Sequence, residues 1–159
     1  MNSFKALEWN VPIWVDGDGN KIDPIKLSDF EGKFKVVFCF QSWCPGCHSL
    51  GFPSLKKMVE TFKDSKKIVF LAVQTVFEGV SENTFEKLLE TQKKYDLQIP
   101  FGQDNGDEAT ENISNIMLHY RTGGTPWFLF IDELNNVIFS DFHIHTEKAI
   151  EFLREMDSK

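Results

Sequence analysis

Val36-Val37-Phe38-Cys39-Phe40 carries no charged or hydrogen-bonding polar side chain on either of its alternating faces. A strand of that kind must be covered on both sides, so it belongs in the middle of a sheet with further layers above and below. Ile68-Val69-Phe70-Leu71-Ala72-Val73 repeats the pattern. Between the two runs, from Pro45 to about Phe62, the period becomes helical, with Leu55, Met58, Val59 and Phe62 recurring at three or four residues. Two doubly apolar strands joined through a helix predict a βαβ unit and an α/β architecture.

The remaining segments fit around that unit. Trp9 to Val15 reads as extended and runs into Asp16-Gly17-Asp18-Gly19-Asn20, whose residues tolerate positive φ and predict a hairpin. Leu27 to Lys33 predicts a short turn before the first central strand. A helix is expected from Glu82 to Tyr95, N-capped by Ser81, with Phe85, Leu88 and Leu89 inward. Ile99-Pro100-Phe101 suits an edge strand or a strand end. After the Asp104-Asn105-Gly106-Asp107 turn, Ala109 to Tyr120 predicts a helix, which Gly123-Gly124-Thr125-Pro126 ends. Trp127–Ile131 and Val137–Phe142 predict a hairpin, and Glu147 to Met156 a closing helix. Without repeats, linkers or low-complexity tracts, residues 1–159 read as a single domain.

Hydrophobic residues make up 42% of the 159, with 16 Phe, enough for a core without disulfide staples. Lys+Arg 17 against Asp+Glu 24 leaves a net charge of −7, which argues against a nucleic-acid groove or an anionic membrane surface as partner. No apolar run is long enough to span a bilayer. Glu8, Asp16, Asp18 and Asp23 occupy the region where a secretory signal would need basic and then apolar residues. A cytoplasmic location is therefore expected if Met1 is the native start, and a periplasmic or extracytoplasmic one if a leader has been removed.

Cys39, Cys44 and Cys47 all fall within nine residues, a local chemical site rather than a disulfide scaffold. Cys44-Pro45-Gly46-Cys47 opens the first helix. Two intervening residues let one helical turn bring both sulfurs into disulfide range. With Cys44 near the N-cap, Pro45 takes the first helical position, which its fixed φ favours. The Cys44 sulfur then faces unpaired N–H groups and the positive end of the helix dipole, both of which favour thiolate. Cys44 is the expected nucleophile, low in pKa and exposed. Cys47, one turn further in, is the expected resolving thiol. Three other readings stand beside this one. A zinc site would need four ligands, and only Cys39 and His48 lie nearby. Cys44-Pro45-Gly46-Cys47-His48 matches a haem attachment pattern, but a buried strand leads straight into it. The pair could also be inert core cysteines, which the turn chemistry of Pro45-Gly46 disfavours. Cys39, on the strand, is expected to be an inert buried thiol. No metal or other cofactor is expected.

Trp43-Cys44-Pro45-Gly46-Cys47 after a strand, with Thr125-Pro126 about 80 residues later leading into another strand, resembles the thioredoxin superfamily. The Leu27-to-Lys33 lead-in and the extra helix between the βα units resemble its TlpA/ResA-like redoxin branch, over most of the chain from about Trp9 to Met156. The resemblance implies a central mixed sheet flanked by helices, with an N-terminal β-hairpin and an inserted helix. It implies a cis Pro126 beside the cysteines, Thr125 presenting its backbone to a substrate peptide, and Trp43 shielding the nucleophile. It implies thiol–disulfide exchange with a protein or low-molecular-weight thiol or disulfide, and a reductase as electron donor.

The chain departs from that pattern at the positions that handle protons. Phe38 stands where relatives carry an acid or Asn on the strand. Leu50 stands where a Glu often follows the second Cys, and Pro53 comes one residue later than expected. Glu78, just beyond the second central strand, is a candidate replacement for the proton relay, against the plainer reading of a solvated loop residue. His48 could tune Cys44 or could be a surface residue. His143 and His145 read as an exposed pair. Two other function classes are kept open: a thiol peroxidase, although Gln41 and Val37 stand where its Thr and Pro would be, and a non-enzymatic partner-binding redoxin.

Overall fold

The computed structural model describes residues 3–159. Its strands are β1 (Phe4–Lys5), β2 (Ile13–Val15), β3 (Lys21–Ile22), β4 (Phe34–Phe40), β5 (Ile68–Thr75), β6 (Phe101–Asp104), β7 (Trp127–Ile131) and β8 (Asn136–Asp141). They form one mixed sheet in the order β1-β8-β7-β4-β5-β6-β2-β3. The β4–β5 and β5–β6 pairs are parallel and the others antiparallel. The helices are α1 (Phe52–Thr61), α2 (Phe85–Lys94), α3 (Asn115–Tyr120) and α4 (Thr146–Ser158). This is a thioredoxin-like α/β fold, with β4 and β5 central as their two-sided apolarity requires.

Alternation along β4 divides the core. Val36, Phe38 and Phe40 join Phe52, Leu55, Met58, Leu88, Phe128 and Leu153 on one face. Val37 and Cys39 join Trp9, Trp14, Leu71, Ile116 and Tyr120 on the other. Each such side chain withdrawn from water contributes about 1.5–3 kcal/mol. The Asp16–Asn20 hairpin forms as its residues require, because Asp16 Oδ1 accepts from the Asp18 and Asn20 N–H groups at 2.9 and 3.0 Å.

Two local expectations are corrected and one is narrowed. Ile99–Phe101 is a strand end and not an edge: β6 begins at Phe101 and lies inside the sheet, because the β2–β3 hairpin adds to its outer side. Pro100 precedes the strand and contributes only its carbonyl, which accepts from Ala72 N–H at 3.1 Å. The second helix begins at Phe85, capped by Thr84 rather than Ser81. Thr84 Oγ1 accepts from Lys87 N–H at 3.2 Å, whereas Ser81 Oγ donates to Glu82. The span from Ala109 to Tyr120 is not one helix. Asp107 caps a single 3₁₀ turn (Glu108–Thr110), Glu111 and Asn112 take positive φ, and Ser114 caps α3 afresh. Asp104 explains the restart, since its buried carboxylate accepts from Ser114 Oγ and the Asn115 and Ile116 N–H groups. Among the described residues, no helix is long and apolar enough to cross a membrane.

Candidate active site

β4 ends at Phe40, and Gln41, Ser42 and Trp43 turn the chain into a helix that opens at Pro45. Cys44 stands at the helix mouth as a free thiol, and Cys47 lies one turn in, also free. Cys47 N–H donates to Cys44 Sγ at 3.3 Å, and Thr125 lies on the other side, its carbonyl 3.5 Å from the sulfur. Hydrogen bonds from Cys47, then Thr125 and the Cys47 and Gly46 backbone, outweigh burial and pull the Cys44 thiol down to about 6. Burial first, and then its hydrogen bond to Cys44, push Cys47 well above the ordinary thiol range. Cys39 is wholly buried on the opposite face of β4, and burial pushes it up too.

The surroundings pull the two thiols in opposite directions, and Cys44 is not exposed as expected. Cys44 is only 5% exposed, whereas Trp43 is 43% exposed. Trp43 N–H donates to Asn83 Oδ1 at 3.1 Å, and a Cβ on Gly79 would stand 3.4 Å from its Cδ1, which puts the ring against the loop after β5. Thr125 and the Cys47 N–H lie against the sulfur.

The Thr125–Pro126 peptide bond is cis. Pro126 packs against the helix at two glycines. A Cβ on Gly46 would lie 3.3 Å from Pro126 Cδ, and one on Gly51 would lie 3.1 Å from Pro126 Cβ and 2.6 Å from Phe38 Cζ. Phe38 itself stacks on Phe40, meets Phe52 edge to face and packs tilted against Phe128. An apolar wall therefore occupies the interior position where a carboxylate would serve a proton, and Cys47 lies in the same apolar cluster. Glu78 is exposed, and only its carbonyl is engaged, accepting from Asn83 Nδ2 at 3.1 Å. No hydrogen bond joins its carboxylate to either sulfur among the described residues. Nor do Cys44 and Cys47 belong to any group of three or more His, Cys, Asp or Glu arranged to hold a metal ion among those residues.

Sequence reading missed a buried amide web behind the cysteine turn. Gln41 Oε1 accepts from Phe77 N–H at 3.3 Å, and its Nε2 approaches Thr125 Oγ1 at 3.5 Å. Gln74 Oε1 accepts from Ser42 N–H and Oγ, and Gln74 Nε2 donates to Gln103 Oε1. A Gln on an otherwise apolar strand, Gln74 on β5, was the available signal. His48 is no free surface residue, since both ring nitrogens are engaged, at Ser42 and Tyr95. Outside the sulfur, a groove of about 330 Å³ runs along Gly46, Leu50, Pro126, Phe128, Phe142 and Ile144.

The redoxin family model matches residues 11–151. A solved thioredoxin-like superfamily protein superposes with a TM-score of 0.80 at 29% identity, over 96% of each chain. A thiol-disulfide isomerase from Corynebacterium glutamicum gives 0.82 at 26% identity, over 97% of this chain and 96% of its own. A thiol-disulfide oxidoreductase from Bacteroides fragilis shares the fold at 16% identity, with a TM-score of 0.70 over 96% of this chain and 99% of its own. No curated protein sequence matches. A family match across nearly the whole sheet, cysteine turn and Thr125–Pro126 loop included, makes this chain a member of the redoxin family, within the thioredoxin superfamily.

Proposed function

We propose that the protein exchanges disulfides through Cys44 and Cys47. The observation that carries this reading is the geometry of two thiols one helical turn apart: Cys47 N–H donates to Cys44 Sγ at 3.3 Å, while Cys47 itself is buried in the apolar cluster. Cys44 is therefore drawn down to about 6, and burial holds Cys47 protonated. At neutral pH the Cys44 thiolate attacks one sulfur of a substrate disulfide, forming a mixed disulfide and releasing the other sulfur as a thiolate. Cys47 then gives up its proton, which the substrate thiolate just released can take, and attacks Cys44 Sγ. The Cys44–Cys47 disulfide forms and the second substrate thiolate leaves, so the substrate has gained two electrons. In the opposite direction the same steps oxidise a dithiol.

The groove beside Gly46 and Pro126, with Leu50 and Phe142 exposed along it, offers an apolar seat for a protein substrate. Pro45 at the helix start, Trp43, Thr125 and Pro126 are supporting residues. A reductase or a dithiol partner must return the pair to its starting state. The similarity to a thiol-disulfide isomerase agrees with this chemistry. Stabilising the Cys44 thiolate stabilises the reduced form, which weights the couple toward oxidising its partners.

The test uses a peptide disulfide and the purified protein. Cys44→Ser should abolish exchange, and Cys47→Ser should trap a mixed disulfide at Cys44, seen by mass spectrometry. Exchange persisting in Cys44→Ser would reject the assignment.

A further inference from the structure

His48 follows Cys47 directly, at the start of an irregular turn. Cys47–Gly51 winds as a π turn, with Phe52 N–H reaching back to the Cys47 carbonyl. Such a turn carries one more residue than α-helical winding, and it sits immediately before Pro53, which has no N–H to give to the preceding turn. Helical side chains lean toward the helix N-terminus, so the His48 ring lies back over the turn that carries Cys44.

The ring is clamped at both nitrogens. His48 Nε2 is 2.5 Å from the Ser42 carbonyl oxygen and Nδ1 is 2.5 Å from Tyr95 Oη. A carbonyl can only accept, so Nε2 carries the hydrogen, and in the neutral ring Nδ1 accepts from the Tyr95 hydroxyl. The ring stacks near Phe52 and Tyr95, at 5.8 and 5.7 Å between centroids. Phe52 and Tyr95 stack on each other at 4.4 Å, and the Tyr95 carbonyl accepts from Lys56 Nζ at 2.8 Å. Lys94 Nζ lies 5.3 Å from the Tyr95 ring. Ser42 is held from its other side by Gln74 Oε1, which accepts from its N–H at 2.8 Å and its Oγ at 2.6 Å. The residue two before Cys44 is thus pinned by β5 through Gln74, and by the π turn and the end of α2 through His48 and Tyr95.

We propose that His48 is the positioning residue of the Cys44 nucleophile: held between the Ser42 carbonyl and the Tyr95 hydroxyl, it fixes the Ser42–Cys44 turn and so keeps the sulfur aligned with Cys47 N–H and Thr125. This rests on the exchange reading for the role of Cys44, but not for the geometry. His48 touches neither sulfur through a hydrogen bond among the described residues, and it acts through the turn.

The test follows the alkylation rate of Cys44 in the reduced protein against pH, with iodoacetamide and site-resolved mass spectrometry, beside a denaturation curve. His48→Ala should move the Cys44 midpoint upward, cutting its rate at pH 5 about tenfold for each unit of movement. Tyr95→Phe, which removes only the hydroxyl, should move it the same way by less. His48→Gln, whose amide N–H can still donate to Ser42, should recover part of the shift. Leu153→Ala, in the core under α4, should lower stability and leave the midpoint in place. If His48→Ala and Tyr95→Phe leave the midpoint unmoved, or Leu153→Ala moves it equally, the proposal is wrong. Should His48→Ala not fold, Tyr95→Phe alone decides. The alkylation readout needs no exchange activity, so loss of exchange in the wild type would overturn the proposed function and leave this test standing.

Discussion

Cys44 and Cys47 share one helical turn yet hold their protons very differently, because hydrogen bonds at the helix mouth act on one sulfur and burial among apolar side chains on the other. Alkylation of the reduced protein should therefore follow Cys44 alone, with a midpoint near 6. Cys39 and Cys47 should label only after unfolding, and fast native labelling of Cys47 would reverse the assignment. Stability carries the same signature. A thiol that titrates lower in the folded chain adds stability above its unfolded value, and that stability is lost as pH falls through the folded value. The reduced protein should gain stability over Cys44→Ser between about pH 6 and the ordinary thiol value of 9.0. Above that value, the raised Cys39 and Cys47 should cost stability, since the unfolded chain ionises there first. Urea denaturation at fixed pH values reads both trends. The spacing of these two cysteines made their opposite settings legible, because helix geometry and the dipole act on any such pair. The 5% exposure of Cys44 was not legible, since Thr125 closes the site from a segment about 80 residues away. Nor was the His48 clamp, whose partner Tyr95 sits just past the end of α2, 47 residues away.

At the level of elements, the late arrival of Pro53 and the π turn are two views of one feature. One residue more than the resemblance led to expect is taken up between Cys47 and Phe52, so the aromatic face of α1 still meets Phe38. That meeting requires Gly51. Gly51→Ala would set a methyl 2.6 Å from Phe38 Cζ and should cost about 1–3 kcal/mol in urea denaturation. Phe38→Leu in the same chain should return part of it. A neutral Gly51→Ala would mean that the helix and β4 are not held so tightly together. Asp104 does comparable work at the end of β6, where it accepts from Ser114, Asn115 and Ile116. Asp104→Ala should cost at least about 2 kcal/mol, with the Ile116 amide losing hydrogen-exchange protection. Apolar periodicity placed α1 and α4 well, but it merged the 3₁₀ turn and α3. A long-range carboxylate, not the local pattern, decides where α3 starts.

Across the whole molecule, the two-sided apolarity of β4 and β5 dictated their central places, and the resemblance carried the mixed sheet. The outer strands were harder to place. β6 lies inside the sheet only because the β2–β3 hairpin returns to pair with it, and β1 joins β8 from the far end of the sequence. Strand order of that kind depends on long-range pairing, which a sequence pattern does not encode. What the architecture achieves is to bring the mouth of the first helix, the Thr125–Pro126 loop and the amide web behind Ser42 to one end of the sheet, with the groove along Leu50 and Phe142 opening beside them. If this arrangement serves disulfide exchange, the pair must cycle. The most direct measurement is a glutathione redox titration, with each cysteine trapped and read by mass spectrometry. The account predicts one reversible two-electron transition confined to Cys44 and Cys47, with a midpoint more oxidising than about −270 mV, the value of thioredoxin, and Cys39 a thiol throughout. No transition at that pair, or a disulfide that includes Cys39 in the folded protein, would contradict it.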